Sequence, residues 1–174
     1  ILSSSPMQNI PKPKTPKFLP NPLTETEVKS ILKACNSLPE STKQRTVAMI
    51  MLLLDCGVRI SELINLKFDD VEIDAGRAKI LGKGLKERYV YFGSKSKKAV
   101  WKYISFTRPD PMANVPNLFL YIDGRSMKQT RFAHILKKLG KRAKVTNVHP
   151  HRFRRTAAIQ FIRNGGNIFA LQKL

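Results

Sequence analysis

The chain has 174 residues, which fits one domain of ordinary size and is long enough to bury a core. Hydrophobic residues make up 42% of it, which excludes a disordered polymer. The 32 Lys and Arg residues outnumber the 12 Asp and Glu residues and leave a formal charge of +20. This charge disfavours an ordinary small-metabolite enzyme and indicates a polyanionic partner, most often nucleic acid. Composition alone does not distinguish DNA from RNA as the partner, or a binding protein from an enzyme.

The sequence also lacks the patterns of membrane, secreted and zinc-binding proteins. No apolar run reaches the roughly 20 residues that span a bilayer, and the N-terminus does not resemble a signal peptide. Cys35 and Cys56 lie in apolar helical patterns and form no CxxC pair, so we expect buried, reduced thiols and no structural metal. These features predict a cytoplasmic protein.

Residues 1–22 differ from the remainder of the chain. They hold six of the eleven prolines, interleaved with Lys12, Lys14 and Lys17. Proline favours extended, non-helical backbone, so we predict a stiff segment. It is either a plain inter-domain linker or a basic strap along a phosphate backbone. The domain itself is predicted to occupy residues 23–174.

The residues that follow this segment have the patterns of helices. Thr24 and Glu27 have the spacing of a capping box, and apolar residues then recur at helical spacing until Pro39. A nearly continuous apolar run predicts a central core helix over 42–56, which Gly57 can end with a left-handed cap. A short helix is predicted over 61–66.

The pattern then changes to short strands and back to helices. Three strands are predicted over 71–73, 78–81 and 89–92, joined as an antiparallel meander. A buried extended segment is predicted over 118–122. Further helices are predicted over 95–106, 128–142 and 150–163, and another from Asn167. The predicted fold class is mainly α with a small antiparallel three-stranded β-meander.

The first of three polar motifs is Gly57-Val58-Arg59-Ile60-Ser61-Glu62-Leu63. Arg59 lies between two predicted helices, where its planar guanidinium can meet a phosphate. Glu62 can hold a neighbouring basic side chain. Taken alone, the motif is more typical of a surface Arg–Glu pair.

The second motif is the loop between the last two strands, Gly82-Lys83-Gly84-Leu85-Lys86-Glu87-Arg88. Its glycines allow a tight turn and a close approach to a ligand. Lys83 at the tip could donate a proton or contact a phosphate, although the loop alone could be an ordinary basic turn. Walker A spacing is absent.

The third motif runs from Val148 to Thr156. His151 and Arg154 are three residues apart at the start of a predicted helix, so they share a face, and helix N-termini favour anions. Histidine also transfers protons near neutral pH. The alternative is a phosphate-anchoring surface without chemistry.

Taken together and in this order, the motifs resemble the catalytic domain of the tyrosine recombinases, the phage integrase family. The resemblance covers about residues 23–174. It begins with Leu-Thr-x-x-Glu at 23–27 and ends with His-Arg-Phe-Arg-Arg-Thr at 151–156 and Gly-Asn-Ile-Phe-Ala-Leu-Gln-Lys-Leu at 166–174. The start of the chain resembles the linker from a core-binding domain.

The resemblance implies a role for each motif. Arg59 and Arg154 would grip the scissile phosphate, Lys83 would protonate the leaving 5′ oxygen, and His151 would assist proton transfer. The reaction would require no metal and no nucleotide cofactor. Neighbouring basic side chains are predicted to contact DNA, namely Lys86, Arg88, Arg152 and Arg155.

Two departures from the family pattern affect these expectations. Arg155 stands where the family commonly has His. The family's Gly-His pair and nucleophilic Tyr would fall beyond Leu174, so we expect a domain that lacks its C-terminal end, binds DNA and forms no phosphotyrosine link by itself. The tyrosines present are interpreted as packing residues, namely Tyr89, Tyr91, Tyr103 and Tyr121.

The predicted function is therefore that of a site-specific DNA recombinase domain from a prokaryote or phage, acting at the nucleoid. The full-length protein would integrate or excise a mobile element, or resolve chromosome dimers. It would act as a homotetramer on two duplex sites, with DNA-bending or excision factors as further partners. Two alternatives remain: a non-catalytic DNA-binding regulator of the same fold, and an RNA-binding basic protein.

Overall fold

The computed structural model describes residues 21–82 and 86–167. Six α-helices and a three-stranded antiparallel sheet make up these residues, in agreement with the predicted fold class. The helices are α1 (Glu25–Ala34), α2 (Glu40–Cys56), α3 (Ile60–Asn65), α4 (Ser94–Phe106), α5 (Gln129–Ala143) and α6 (Pro150–Arg163). The strands are β1 (Val71–Glu72), β2 (Arg77–Leu81) and β3 (Glu87–Tyr91). None of the helices among these residues is long and apolar enough to cross a membrane.

The first helix begins where its capping box predicts. The Thr24 side chain accepts a hydrogen bond from the Glu27 amide, and the Glu27 carboxylate accepts one from the Thr24 amide. These bonds satisfy backbone donors that a helix start leaves unpaired. A 3₁₀ turn over Cys35–Ser37 then leads to Pro39, which precedes α2.

Helix α2 is the centre of the core. Its residues Ala48, Met49, Ile50 and Leu53 are fully buried, and the helix packs against both α4 and α6. Burial of this kind is the main favourable term in folding. The helix ends at Gly57, whose φ of 59° is the left-handed cap that the sequence predicts.

The sheet has the predicted meander order, β1-β2-β3. Ala78 lies opposite Val90, and both are buried against the helices, whereas the alternate positions face outward. Tyr89 and Tyr91 are on that outer face, with 48% and 67% of their surface exposed. The interpretation of these two tyrosines as packing residues is therefore wrong, because the strand register turns them away from the core.

The segment predicted to be buried before α5 forms no strand and is covered only over residues 118–120, since Ile122 is 67% exposed. Leu118, Phe119 and Leu120 are fully covered, and only isolated bridges pair this stretch with its neighbours. The Tyr103 hydroxyl donates to the Leu118 carbonyl and accepts from the Leu120 amide. Tyr103 is thus the packing residue that the sequence predicts.

Candidate active site

The turn between α2 and α3 holds Arg59 at the N-cap position of α3. Gly57 reverses the chain, and Val58 is buried beside it. The backbone amide of Arg59 donates to Glu62 Oε2 at 2.8 Å, and its Nη1 donates to Glu62 Oε1 at 3.0 Å. About half of the Arg59 side chain stays exposed, so it can meet a ligand from solvent.

Glu62 is the buried centre of this cluster. Its side chain is only 4% exposed, and Arg88 of β3 binds both of its oxygens at 3.1 and 3.0 Å. Burial favours the neutral acid, but the bonds from Arg88 and Arg59 outweigh it and hold the pKa of Glu62 below its usual value. The expectation that Glu62 holds a basic neighbour is confirmed, and it holds two.

Arg154 reaches the same turn from the first half of α6. Its Nη1 donates to the carbonyl oxygen of Gly57 at 2.5 Å. Burial, and then the like charge of Arg59, lowers the pKa of Arg154 below its usual value, while Glu62 offsets part of this effect. Two arginines from distant parts of the sequence therefore lie close enough to influence each other, beside a single carboxylate. An anion bound between them would relieve that repulsion.

The N-terminus of α6 supplies the histidine. Pro150 occupies the first turn, and His151 is exposed one residue later. The rings of His149 and His151 have centroids 6.4 Å apart. Burial, and then the nearby charge of His151, lowers the pKa of His149. The dipole of α6 adds partial positive charge at this end of the helix.

The β2–β3 loop starts beside Glu62. The Gly82 amide donates to the Lys86 carbonyl at 2.9 Å and closes the loop at its base. A β-carbon placed on Gly82 would lie 2.8 Å from Arg88 Nη1 and 3.9 Å from Glu62 Oε1. Lys83 lies outside the described residues, so its predicted role stays a prediction, although the base of its loop adjoins the arginine cluster.

The predicted DNA contacts fall into two groups. Lys86 and Arg155 are exposed, as their predicted contact with DNA requires. The Arg88 guanidinium forms an ion pair with the buried carboxylate of Glu62, so its contact in this structure is with the protein. Arg152 contradicts its prediction: it is 5% exposed, and all three guanidinium nitrogens donate to protein oxygens, so it faces no external phosphate.

A basic groove at the other end of α2 was not predicted. It encloses about 1130 Å³ between the start of α2, the 121–128 segment and one side of α5. A sequence signal does exist, because the residues after Asp123 include 13 Lys and Arg and no Asp or Glu. The exposed basic residues lining the groove are Lys128, Arg131, Lys138 and Arg142. Arg125 also lines it but is paired with Asp123, and Arg45 is buried beneath it and donates to the Leu120 carbonyl.

Comparison with known proteins agrees with this arrangement. The model of the phage integrase family matches residues 21–174. Tyrosine recombinase XerC of Staphylococcus aureus strain JH9 is 30% identical over 171 residues, which cover 98% of this chain and 57% of that protein. The chain therefore spans little more than half the length of the curated relatives it matches.

Solved structures have the same fold. The crystal structure of XerA recombinase superimposes with a TM-score of 0.77 at 29% identity, over 93% of this chain and 56% of that one. XerH site-specific recombinase bound to its difH substrate gives a TM-score of 0.72 at 18% identity, over 88% of this chain and 46% of that one. The family match covers every described residue and the fold agrees with it, so the chain belongs to the phage integrase family of tyrosine recombinases.

Proposed function

We propose that this chain is the catalytic domain of a site-specific DNA recombinase that cuts and rejoins strands without a metal ion. The observation that carries the proposal is the convergence of Arg59 and Arg154 at the Gly57 turn, beside the histidine-bearing start of α6. A bridging phosphate is the anion that such a pair of planar donors suits best.

Each residue then has a chemical role. Arg59 and Arg154 neutralise the two non-bridging oxygens as the phosphorus becomes pentacoordinate, where charge is greatest. Lys83 gives its proton to the departing 5′ oxygen, and His151 assists proton transfer. Glu62 accepts hydrogen bonds from the Arg59 amide and guanidinium and so fixes the guanidinium before the phosphate binds.

The nucleophile in this proposal is a tyrosine outside residues 1–174, whose oxygen attacks the phosphorus and displaces the 5′ oxygen. The described tyrosines have other surroundings. Tyr103 is buried and hydrogen-bonded within the core, and the Tyr121 hydroxyl accepts from the Lys128 amide. Tyr89 and Tyr91 lie on the outer face of the sheet. The covalent 3′-phosphotyrosine conserves the phosphodiester energy until another 5′ hydroxyl reverses the step.

Duplex DNA is the proposed partner, and the basic groove supports it. Arg45 beneath the groove and Gly57 at the arginine cluster are twelve residues apart on α2, or about 18 Å at 1.5 Å per residue. Phosphates follow one another every 3.4 Å of duplex axis on each strand, so one duplex of about five base pairs spans both features. The exposed Lys86 and Arg155 would add contacts near the cleaved phosphate.

The wider assembly is part of the same proposal. We propose that residues 1–22 link this domain to a core-binding domain, and that four full-length protomers act on two duplexes. Integration or excision of a mobile element is the proposed reaction. XerH, a site-specific recombinase, was solved bound to its difH substrate, which supports the proposed partner.

A covalent-trapping assay tests the proposal. The full-length protein is incubated with a duplex that carries its site and a nick, which lets the short 5′ fragment diffuse away. A protein–DNA adduct that survives denaturation is expected. Binding to the site with no adduct would contradict the recombinase proposal and would favour a non-catalytic regulator.

A further inference from the structure

Arg152 connects the start of the described chain to the first turn of α6. Its Nε donates to the Asn21 carbonyl at 3.1 Å and its Nη2 to the Pro22 carbonyl at 3.3 Å. Its Nη1 donates to the Thr146 carbonyl at 2.6 Å, in the loop that leads into α6. One side chain therefore holds backbone from two segments that are more than 120 residues apart.

Glu27 supplies the counter-charge. Both of its oxygens accept from Arg152 Nη2, at 2.9 and 3.0 Å, and the Arg152 side chain is only 6% exposed. The same carboxylate accepts the Thr24 amide in the capping box of α1. The Glu27 side chain is 26% exposed, so the buried member of the pair is Arg152, and removing Glu27 would leave that buried charge without its carboxylate.

A second tie runs beside the first. The Leu23 amide donates to Thr156 Oγ1 at 2.8 Å, and that hydroxyl donates to the Arg152 carbonyl at 2.8 Å. Leu23 and Thr156 are 4% and 1% exposed. The segment 21–23 is therefore attached to α6 through both the Arg152 side chain and the Arg152 backbone.

The two neighbours that matter for the phosphate flank this attachment. His151 precedes Arg152, and Arg154 follows two residues later, within the same helical turn. We propose that Arg152 is a positioning residue: through Glu27 and the carbonyls of Asn21 and Pro22, it fixes the turn of α6 that presents His151 and Arg154. The segment that enters the domain at residue 21 is thereby mechanically coupled to the phosphate site.

The catalytic consequence depends on the proposed recombinase function, whereas the attachment itself does not. Positioning residues affect rate more than affinity, since a displacement of about 1 Å at a reacting group can lower a rate about 100-fold. Binding to duplex DNA is spread over many phosphate contacts and should change little.

The experiment compares Glu27→Gln with Glu25→Gln. Gln at position 27 preserves the capping box, which accepts either residue, but removes the charge that Arg152 needs. Glu25 lies on the same helix and forms an exposed ion pair with Lys29, which makes it a matched control. Arg152→Leu and the Glu27→Gln/Arg152→Leu double variant complete a cycle.

The first measurement is independent of cleavage. Hydrogen exchange at the Leu23 amide, which bonds only where segment 21–23 meets α6, should be at least about tenfold faster in Glu27→Gln and unchanged in Glu25→Gln. Unchanged exchange in Glu27→Gln would overturn the proposal. If Arg152→Leu does not fold, the Glu27→Gln comparison still decides the result.

The second measurement is single-turnover cleavage of a nicked site by the full-length protein. Glu27→Gln and Arg152→Leu should each lose about 10- to 100-fold in rate while their duplex Kd stays within about twofold, and the double variant should lose less than the product of the two. A Kd that weakens in parallel with the rate would make Arg152 a DNA contact and overturn the proposal. If the unaltered protein forms no adduct, the proposed function fails, and the Leu23 exchange alone decides the attachment.

Discussion

The guanidinium of Arg154 donates a 2.5 Å hydrogen bond to the carbonyl oxygen of Gly57, the residue that ends α2. This contact places an arginine of α6 at the turn from which Arg59 emerges. It depends on the left-handed conformation of Gly57, and on the close approach of α6, where a β-carbon on Gly57 would lie 3.3 Å from the Ala157 β-carbon. The contact that packs α6 against the end of α2 therefore also brings Arg154 close to Arg59.

Gly57→Ala should therefore destabilise the protein by more than the conformational cost alone. The left-handed region costs a non-glycine residue about 1–2 kcal/mol, and the new methyl group also meets Ala157. Gly165→Ala is the control, since Gly165 has a φ of 82° with open space around it. Urea unfolding should show the larger loss at position 57. Equal losses would mean that α6 adjusts freely to the added methyl group.

Glu62→Gln should be strongly destabilising. It removes a buried charge that two arginines share, and breaking a buried ion pair costs about 3–5 kcal/mol. Glu72→Gln breaks the exposed bridge to Arg77 and should cost less than about 1 kcal/mol. The free energy of unfolding in urea compares the two. Similar small losses would show that solvent reaches the Glu62 carboxylate.

The pH dependence of stability should reflect the same carboxylate. The pKa of Glu62 is lowered in the folded state, so the unfolded chain binds its proton first as pH falls. Its stabilising contribution is complete above the roughly 4.3 of a free glutamate and is lost as pH falls through the lower folded value. Between pH 7 and pH 3, the Tm of the unaltered protein should fall more steeply with pH than the Tm of Glu62→Gln. If the two plots of Tm against pH were parallel, groups other than Glu62 would be responsible for the loss of stability in acid.

Arg154→Ala should abolish adduct formation by the full-length protein while weakening duplex binding only modestly. Arg154 stabilises charge that develops at one phosphate, whereas affinity comes from many contacts. Adduct yield on a nicked site and Kd from a gel-shift titration measure the two effects separately. Arg163→Ala, at the exposed far end of the same helix, is the control. Equal loss of both quantities would make Arg154 mainly an affinity residue.

The basic groove makes a separate prediction about salt. Arg131→Gln should lower the slope of log Kd against log salt by about 1, the value for one phosphate contact. Lys33→Gln removes a charge from the last turn of α1, outside the groove, and should leave the slope unchanged. Fluorescence anisotropy with a labelled duplex at several salt concentrations provides the measurement. An unchanged slope for Arg131→Gln would place the duplex elsewhere.

Most of the fold was predictable because its signals are local. The Thr24–Glu27 box, the left-handed Gly57 and the proline at the start of α6 each act within one turn of a helix. Helix α6 has the predicted bounds, and α5 is shifted from its prediction by one residue at each end. The strands were recognisable from their period, but the outer position of Tyr89 and Tyr91 was not, because it depends on which sheet face the helices cover.

The candidate site was predictable only in part. Arg59, Glu62, His151 and Arg154 stood out through their spacing, and the structure brings Arg59, Glu62 and Arg154 together. Arg152 has the same sequence context as Arg154 but faces the opposite way, toward Glu27. Residues two apart on a helix point about 200° apart, so one turn can present one arginine to a ligand and bury the other.

The sequence by itself determined the elements, the excess positive charge and the order of the three polar motifs, because caps, periodicity and composition are properties of neighbouring residues. Only the tertiary structure decided which cations belong to the site and which to the scaffold. Arg154 bonds to a backbone 97 residues away, and Arg152 bonds to a carboxylate 125 residues away. Whether an arginine is available to a phosphate depends on whether protein oxygens already occupy its donors, and packing between distant segments sets that.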